Sequence, residues 1–316
     1  MQTNSIADER DFVAAAAACK KRDLAAHQLC YFLPKEKAAG VRAMVAGCAM
    51  IRDVIDAPAG AGDCSGGMAE GGGGVAELVH TQMERVYADE LELPESEFRD
   101  GSQHILAALA QTLKRFEAPR ELMMTFVDAC RDDAATARYA TWNSLRRQCE
   151  RLGGSVAGLI ACVLGATSSE VGRFAADFGA AARLTSIVST LKADVSRGRI
   201  YLPMEDMARC RYPERELIAG VDDGRLGQLT AIQIERAQEL LASASEGVCW
   251  VAGDGSRMAA AMMLQVIRVQ LDRLSRRESH FAAAGLRPAS MGLLRLLPAA
   301  MRLARRQADQ PLPRTR

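Results

Sequence analysis

Apolar residues recur at three- and four-residue spacing along most of this chain, the period of a helix that turns one face to a core. The pattern predicts helices over Val41–Ile55, Val75–Tyr87, Ile105–Phe116, Leu122–Cys130, Trp142–Arg151 and Val156–Leu164. It continues in Val171–Ala193, Gln228–Ala244, Arg257–Leu274 and Leu293–Arg305. No segment alternates with period two for long enough to suggest a sheet. Glycine and proline mark the breaks. Ala57–Gly74 reads as a flexible loop, because glycine brings backbone freedom and almost no side chain to bury. Glu92–Gly101 carries Pro94 and charge, Pro119 fits the first position of the next helix, and Gly220–Gly227 reads as a turn. No repeat recurs at a fixed period and no linker separates two cores. The expectation is one all-α domain over residues 1–316, with a loop at 57–74 and a solvated, disordered tail at 306–316.

Composition narrows the function. The chain has 316 residues, 49% of them hydrophobic, enough for a substantial core. A formal charge of +1 argues against a nucleic-acid surface. Nine cysteines, an odd number without CxxC spacing or a secretory leader, point to a reduced, cytoplasmic setting rather than to zinc or disulfides. The run VAAAAACKK is too short and too quickly charged to span a membrane, which leaves at most peripheral contact with one.

Carboxylates are the main candidates for chemistry. Asp53 and Asp56 share a helix face, as do Asp128 and Asp132, with Asp133 beside them. Asp194 stands alone, one turn before Arg197 and Arg199. Acids projecting from several helices into one cavity would suit magnesium, which prefers oxygen ligands. The spacing fits equally well acids that solvate helix faces or pair with nearby arginines. Tyr139 and Tyr201 read either as groups that stabilise a cation or bind diphosphate, or as core residues with satisfied hydroxyls. The four histidines are scattered, and Gly71–Gly74 lacks the Lys-Ser/Thr that a phosphate loop needs.

Three stretches carry a resemblance. They are Leu33–Asp56 (LPKEKAAGVRAMVAGCAMIRDVID), Phe126–Gly158 (FVDACRDDAATARYATWNSLRRQCERLGGSVAG) and Phe178–Pro203 (FGAAARLTSIVSTLKADVSRGRIYLP). In order and in detail, above all the Arg-Tyr-x-Thr and Arg-Ile-Tyr-Leu-Pro runs, they are similar to the signatures of the squalene/phytoene synthase family. The resemblance implies an isoprenoid synthase-type helical bundle around a central apolar cavity. It also implies a prenyltransferase, with aspartates on facing helices holding Mg2+ and the Mg2+ holding an isoprenyl diphosphate. Carried over to this chain, the metal ligands are Asp53, Asp56 and Asp194, with Tyr201 as a further catalytic residue. Arg52, Arg183, Arg199, Tyr139, Asp128 and Asp132 are then the substrate-binding candidates.

The departures bear on the reaction. Arg52 stands where the family begins its first acidic motif with Asp, and Ala49 where it has Arg. In the second acidic helix Arg183 stands for Gln, Ser186 for Asn, Ser189 for Arg and Thr190 for the first Asp. Replacing Asp by Arg changes the local charge by two units, each worth about 3 kcal/mol at about 5 Å and an effective dielectric near 20. Fewer magnesium ions are therefore expected, with Arg52 and Arg183 meeting the diphosphate directly, paired to Asp53, Asp56 or Asp194. The leading expectation is transfer of one prenyl group to a small acceptor without diphosphate, such as an aromatic ring. Head-to-head condensation of two isoprenyl diphosphates and a catalytically inactive assembly protein are the alternatives.

Overall fold

The computed structural model describes residues 7–57, 72–88, 102–166, 171–277, 281 and 290–308. Most of the glycine-rich stretch, the charged break at 92–101, Cys64 and the end of the tail lie outside these residues. In chain order the helices are α1 (Glu9–Arg22), α2 (Leu24–Leu29), α3 (Lys35–Asp56), α4 (Gly72–Tyr87), α5 (Ser102–Arg115), α6 (Arg120–Ala135) and α7 (Trp142–Cys149). After a π turn at Glu150–Gly154 come α8 (Ser155–Val163), α9 (Val171–Ser196), α10 (Met204–Arg209) and α11 (Glu214–Ile218). The last are α12 (Gly224–Ser245), α13 (Ser256–Ser275) and α14 (Ser290–Ala308). Among the described residues, β pairing is limited to two isolated bridges, Arg138 with Ile200 and Ala166 with Val251.

Each helix expected from periodicity is present. Two details differ. Pro119 sits at the N-cap of α6, one residue before the expected first helical position, with φ −58° and ψ 128°. The helix at Trp142 gives way after Cys149 to the π turn, whose own backbone meets that of α9. The reason is steric. A Cβ on Gly153 would lie 2.2 Å from the Gly179 carbonyl oxygen, and one on Gly179 would lie 2.1 Å from the Gly153 carbonyl carbon and oxygen. Only two glycines let these backbones approach so closely.

The core forms two main bodies. One gathers α3, α5, α6 and α8 around Met44, Leu109, Met123 and Leu159; the other gathers α9, α12 and α13 around Leu184, Ile187, Leu241 and Met262. The facing walls of α3 and α9 enclose the cavity described below. Lys37, near the start of α3, ties the bodies together at one end. Its Nζ donates to the Leu164 carbonyl (3.0 Å) and Ser256 Oγ (3.2 Å), and pairs with Asp254 (2.8 Å). The Lys37 and Ser256 hydrogen bonds hold the Asp254 carboxyl down to about 2. Such a group contributes stability above its ordinary value, and loses it as pH falls through the depressed one. Lys37→Met should therefore cost about 1–2 kcal/mol at neutral pH through its lost hydrogen bonds. Urea unfolding should show the gap to the parent protein narrowing as pH falls from about 4 towards about 2. A gap independent of pH would place the effect elsewhere than Asp254.

Candidate functional site

A cavity of about 660 Å³ lies between α2, α3, α8, α9 and α13, floored by the π turn. Its body is apolar, with Leu29, Val45, Phe126, Val156, Ile160, Phe178, Met263 and Val266 in the wall. Its charged lining residues are Arg22, Asp23, Arg52 and Arg183, so arginine outweighs aspartate at the polar end. Asp23 also serves the backbone, accepting from the Ala26 N–H at 2.9 Å as the cap of α2.

Arg183 projects from the buried side of α9 and is 8% exposed. Its partner is Asp133, 3% exposed, at 3.1 Å. Arg52, at the last turn of α3, reaches the same carboxylate at 3.8 Å. The Tyr201 hydroxyl donates to Asp133 Oδ2 at 3.0 Å and the Tyr139 hydroxyl to Oδ1 at 3.4 Å. The two tyrosine rings stack with centroids 5.8 Å apart, and the Arg183 guanidinium lies over Tyr201 at 4.7 Å. Backbone pairing sets this geometry: Ile200 N–H donates to Ala137 (3.0 Å) and Met204 N–H to Tyr139 (2.9 Å), so the segments of both tyrosines run side by side.

Burial alone would lower the pKa of Arg183, but Asp133 outweighs it and holds the guanidinium above its ordinary value. Burial, followed by the Asp133 charge, pushes Tyr139 up; burial likewise raises Tyr201 against the opposing pull of Arg183. Both phenols therefore remain neutral donors. Two cations share one carboxylate here, which leaves a net positive charge facing the cavity.

The partner of the two arginines is thus Asp133, not Asp53, Asp56 or Asp194 as expected from sequence. Asp53 points outward, more than half exposed, and pairs with Arg22. Asp56 pairs with Arg199. Asp194 is buried against Thr190, with Oδ2 2.7 Å from Oγ1, which also lies 2.9 Å from the Ser186 carbonyl oxygen. Thr190 has one hydroxyl proton, so both contacts are hydrogen bonds only when Asp194 itself carries a proton. Burial agrees, raising the Asp194 carboxyl above its usual range despite Thr190 and Arg183. Asp128 pairs with Arg131 (3.1 Å) and Asp132 with Arg151 (2.5 Å), and neither lines the cavity. The signal for Asp133 was present in the sequence. It falls on the apolar stripe of α6, after Met123, Phe126, Val127 and Cys130, whereas Asp128 and Asp132 fall on the other face.

An all-helical bundle that walls an apolar cavity and sets charge at one end of it defines a class of protein. The squalene/phytoene synthase family model matches residues 20–295, and the chain belongs to that family. Members of the family are transferases that use isoprenyl diphosphates. The chain is 33% identical to 15-cis-phytoene synthase of Synechocystis sp. over 153 residues, a match spanning 45% of the chain and less than half, 45%, of that relative. It is 26% identical to 15-cis-phytoene synthase of Synechococcus elongatus over 252 residues, 76% of each. The fold matches a crystal structure of a dehydrosqualene synthase with a TM-score of 0.80 at 21% identity, over 94% of this chain and 98% of the other.

The family typically uses a divalent metal to bind diphosphate. The donor set here does not fit a multi-ion cluster. Among the described residues no three Asp, Glu, His or Cys side chains gather to hold an ion. Positions 52 and 190 supply a guanidinium and a hydroxyl, and Asp53 and Asp56 are each neutralised by an arginine.

Proposed function

We propose that the protein binds one isoprenyl diphosphate with its diphosphate at Arg52 and Arg183 and its hydrocarbon chain in the apolar cavity. It then transfers the prenyl group to an acceptor that carries no diphosphate, an electron-rich aromatic carbon being the simplest. The observation that carries the reading is the pair of guanidinium groups, sharing a single buried carboxylate, at the polar end of an otherwise apolar cavity. Guanidinium binds phosphate oxygens through paired, charge-assisted hydrogen bonds. As the donor carbon–oxygen bond breaks, the electron pair leaves with the diphosphate and the arginines take up the growing negative charge. The allylic cation that remains meets apolar walls, Phe126 and Phe178 among them, that keep water out. The acceptor carbon attacks the cation, and the ring then gives up a proton to the released diphosphate.

Head-to-head condensation is the second reading, supported by the phytoene synthase relatives. It needs a second diphosphate, and the acids at the remaining family positions are already engaged, Asp56 by Arg199 and Asp194 by Thr190. Product analysis after incubation with allylic diphosphates, with and without a phenolic acceptor, separates the two. A hydrocarbon dimer formed without acceptor would overturn the single-donor reading, and no turnover with tight binding would favour an inactive binding protein.

The arginine reading also sets the sign of one substitution. Arg52→Asp restores an acid but adds repulsion where the chain has attraction. It should weaken binding of a non-hydrolysable prenyl thiodiphosphate by about ten- to a hundredfold, the worth of a charge-assisted hydrogen bond of about 1.5–3 kcal/mol. Titration calorimetry with magnesium and with chelator checks this. Tighter binding by the variant in magnesium would show that a metal site, not the arginine, governs recognition.

A further inference from the structure

The carboxylate behind the two arginines has a definite part in the site. We propose that Asp133 is a positioning residue: it keeps Arg183, and with it Arg52, at the end of the cavity where the diphosphate would bind, while itself staying out of the cavity. The proposal rests on reading the arginine end of the cavity as the diphosphate subsite.

Four observations converge on it. Asp133 is buried, and it is not among the residues that line the cavity, although both of its arginine partners are. Both of its oxygens are engaged: Oδ2 meets Arg183 at 3.1 Å, Arg52 at 3.8 Å and the Tyr201 hydroxyl at 3.0 Å, while Oδ1 accepts from Tyr139 at 3.4 Å. A carboxylate so occupied fixes Arg183 by hydrogen bonds and draws Arg52 beside it by charge. Two like charges brought to one point repel, and the buried acid offsets that repulsion from the side away from the ligand. Finally, Tyr201 lies under the Arg183 guanidinium, so the same phenol fixes the acid by its hydroxyl and the arginine by its ring.

Charge and position make opposite demands on the result of removing this acid. If Asp133 acted only through its charge, as an internal anion competing with the ligand, Asp133→Asn would tighten anion binding. If it positions the arginines, the same change lets them swing apart, and binding weakens although a negative charge is gone. The probe is inorganic pyrophosphate, titrated in chelator so that no divalent ion takes part, with circular dichroism to confirm folding. Weakening by about tenfold or more is expected for Asp133→Asn, the scale of one lost charge-assisted contact. Tyr201→Phe removes one hydrogen bond to the acid and keeps the ring, and should weaken pyrophosphate by about threefold, with the arginines untouched. This second variant decides the matter if Asp133→Asn does not fold. Unchanged or tighter binding by the folded variants would overturn the positioning role alone. Failure of the parent protein to bind pyrophosphate or a prenyl thiodiphosphate would overturn the diphosphate subsite and the inference together.

Discussion

Arg183→Met should be the most damaging single change in the site, lowering stability by about 3–5 kcal/mol, the cost of removing one partner from a buried ion pair. Methionine fills similar volume and is content in an apolar wall. The loss would therefore come from Asp133, which keeps the more distant Arg52 at 3.8 Å and two phenolic donors but no close cation. Prenyl thiodiphosphate binding should fall by about a hundredfold in the same protein. Urea unfolding and calorimetry on one sample test both. A double variant, Arg183→Met with Asp133→Leu, sharpens the test, because replacing a whole buried pair by apolar groups is often neutral or stabilising. Recovery of stability without recovery of binding is the expected outcome. If Arg183→Met unfolds at the same urea concentration as its parent, the pair is not the buried one described.

Gly179→Ala should be nearly as harmful for a different reason. Alanine in a helix interior ordinarily stabilises by about 1 kcal/mol over glycine. Here its Cβ would fall 2.1 Å from the Gly153 carbonyl carbon and oxygen and 2.4 Å from the Gly154 nitrogen, all main-chain atoms that no rotamer change can move. Overpacking costs about 1–3 kcal/mol where side chains can yield, and more is expected against backbone. The melting temperature should drop by about 5–10 °C, reversing the sign that helix propensity gives. An unchanged melting temperature would mean that the π turn withdraws freely from α9.

How far these features could be read from the chain depended on hydrophobic contrast. Helices such as α5 and α6 separate a large apolar face from a polar one, and their presence follows from the period alone. The first helix escaped that reading because the run Val13–Ala18 is nearly all alanine, which sits equally well inside or outside and blurs the period. The short α10 and α11 span too few turns to show one. The site was legible in Arg52 and Arg183, because they stand where the family resemblance leads one to expect an acid and an amide. The apolar stripe of α6 marks Asp133 as buried, but its pairing with the two arginines was not legible. Asp133 is brought to Arg183 by the packing of α6 on the π turn and by the pairing of residues 137–140 with 200–205, segments about sixty residues apart, and no local pattern encodes these contacts.

The meeting of Gly153 and Gly179 has a bearing on redesign. Both residues line the cavity, so at this point its wall is bare main chain. Bare main chain offers no atoms to trim and no room to add any, and libraries that vary these two positions should return mainly unfolded protein. Neighbouring wall positions are different. Ala157, Ala182 and Val266 border the same space with small side chains that can be exchanged for larger ones. Along α9 the line Arg183, Ser186, Thr190 follows Gly179 at helical spacing, so the polar functions of the cavity can be rewritten on a helix whose seating is fixed one turn earlier. The glycine contact thus separates a part of the cavity that must be inherited from parts that are open to selection.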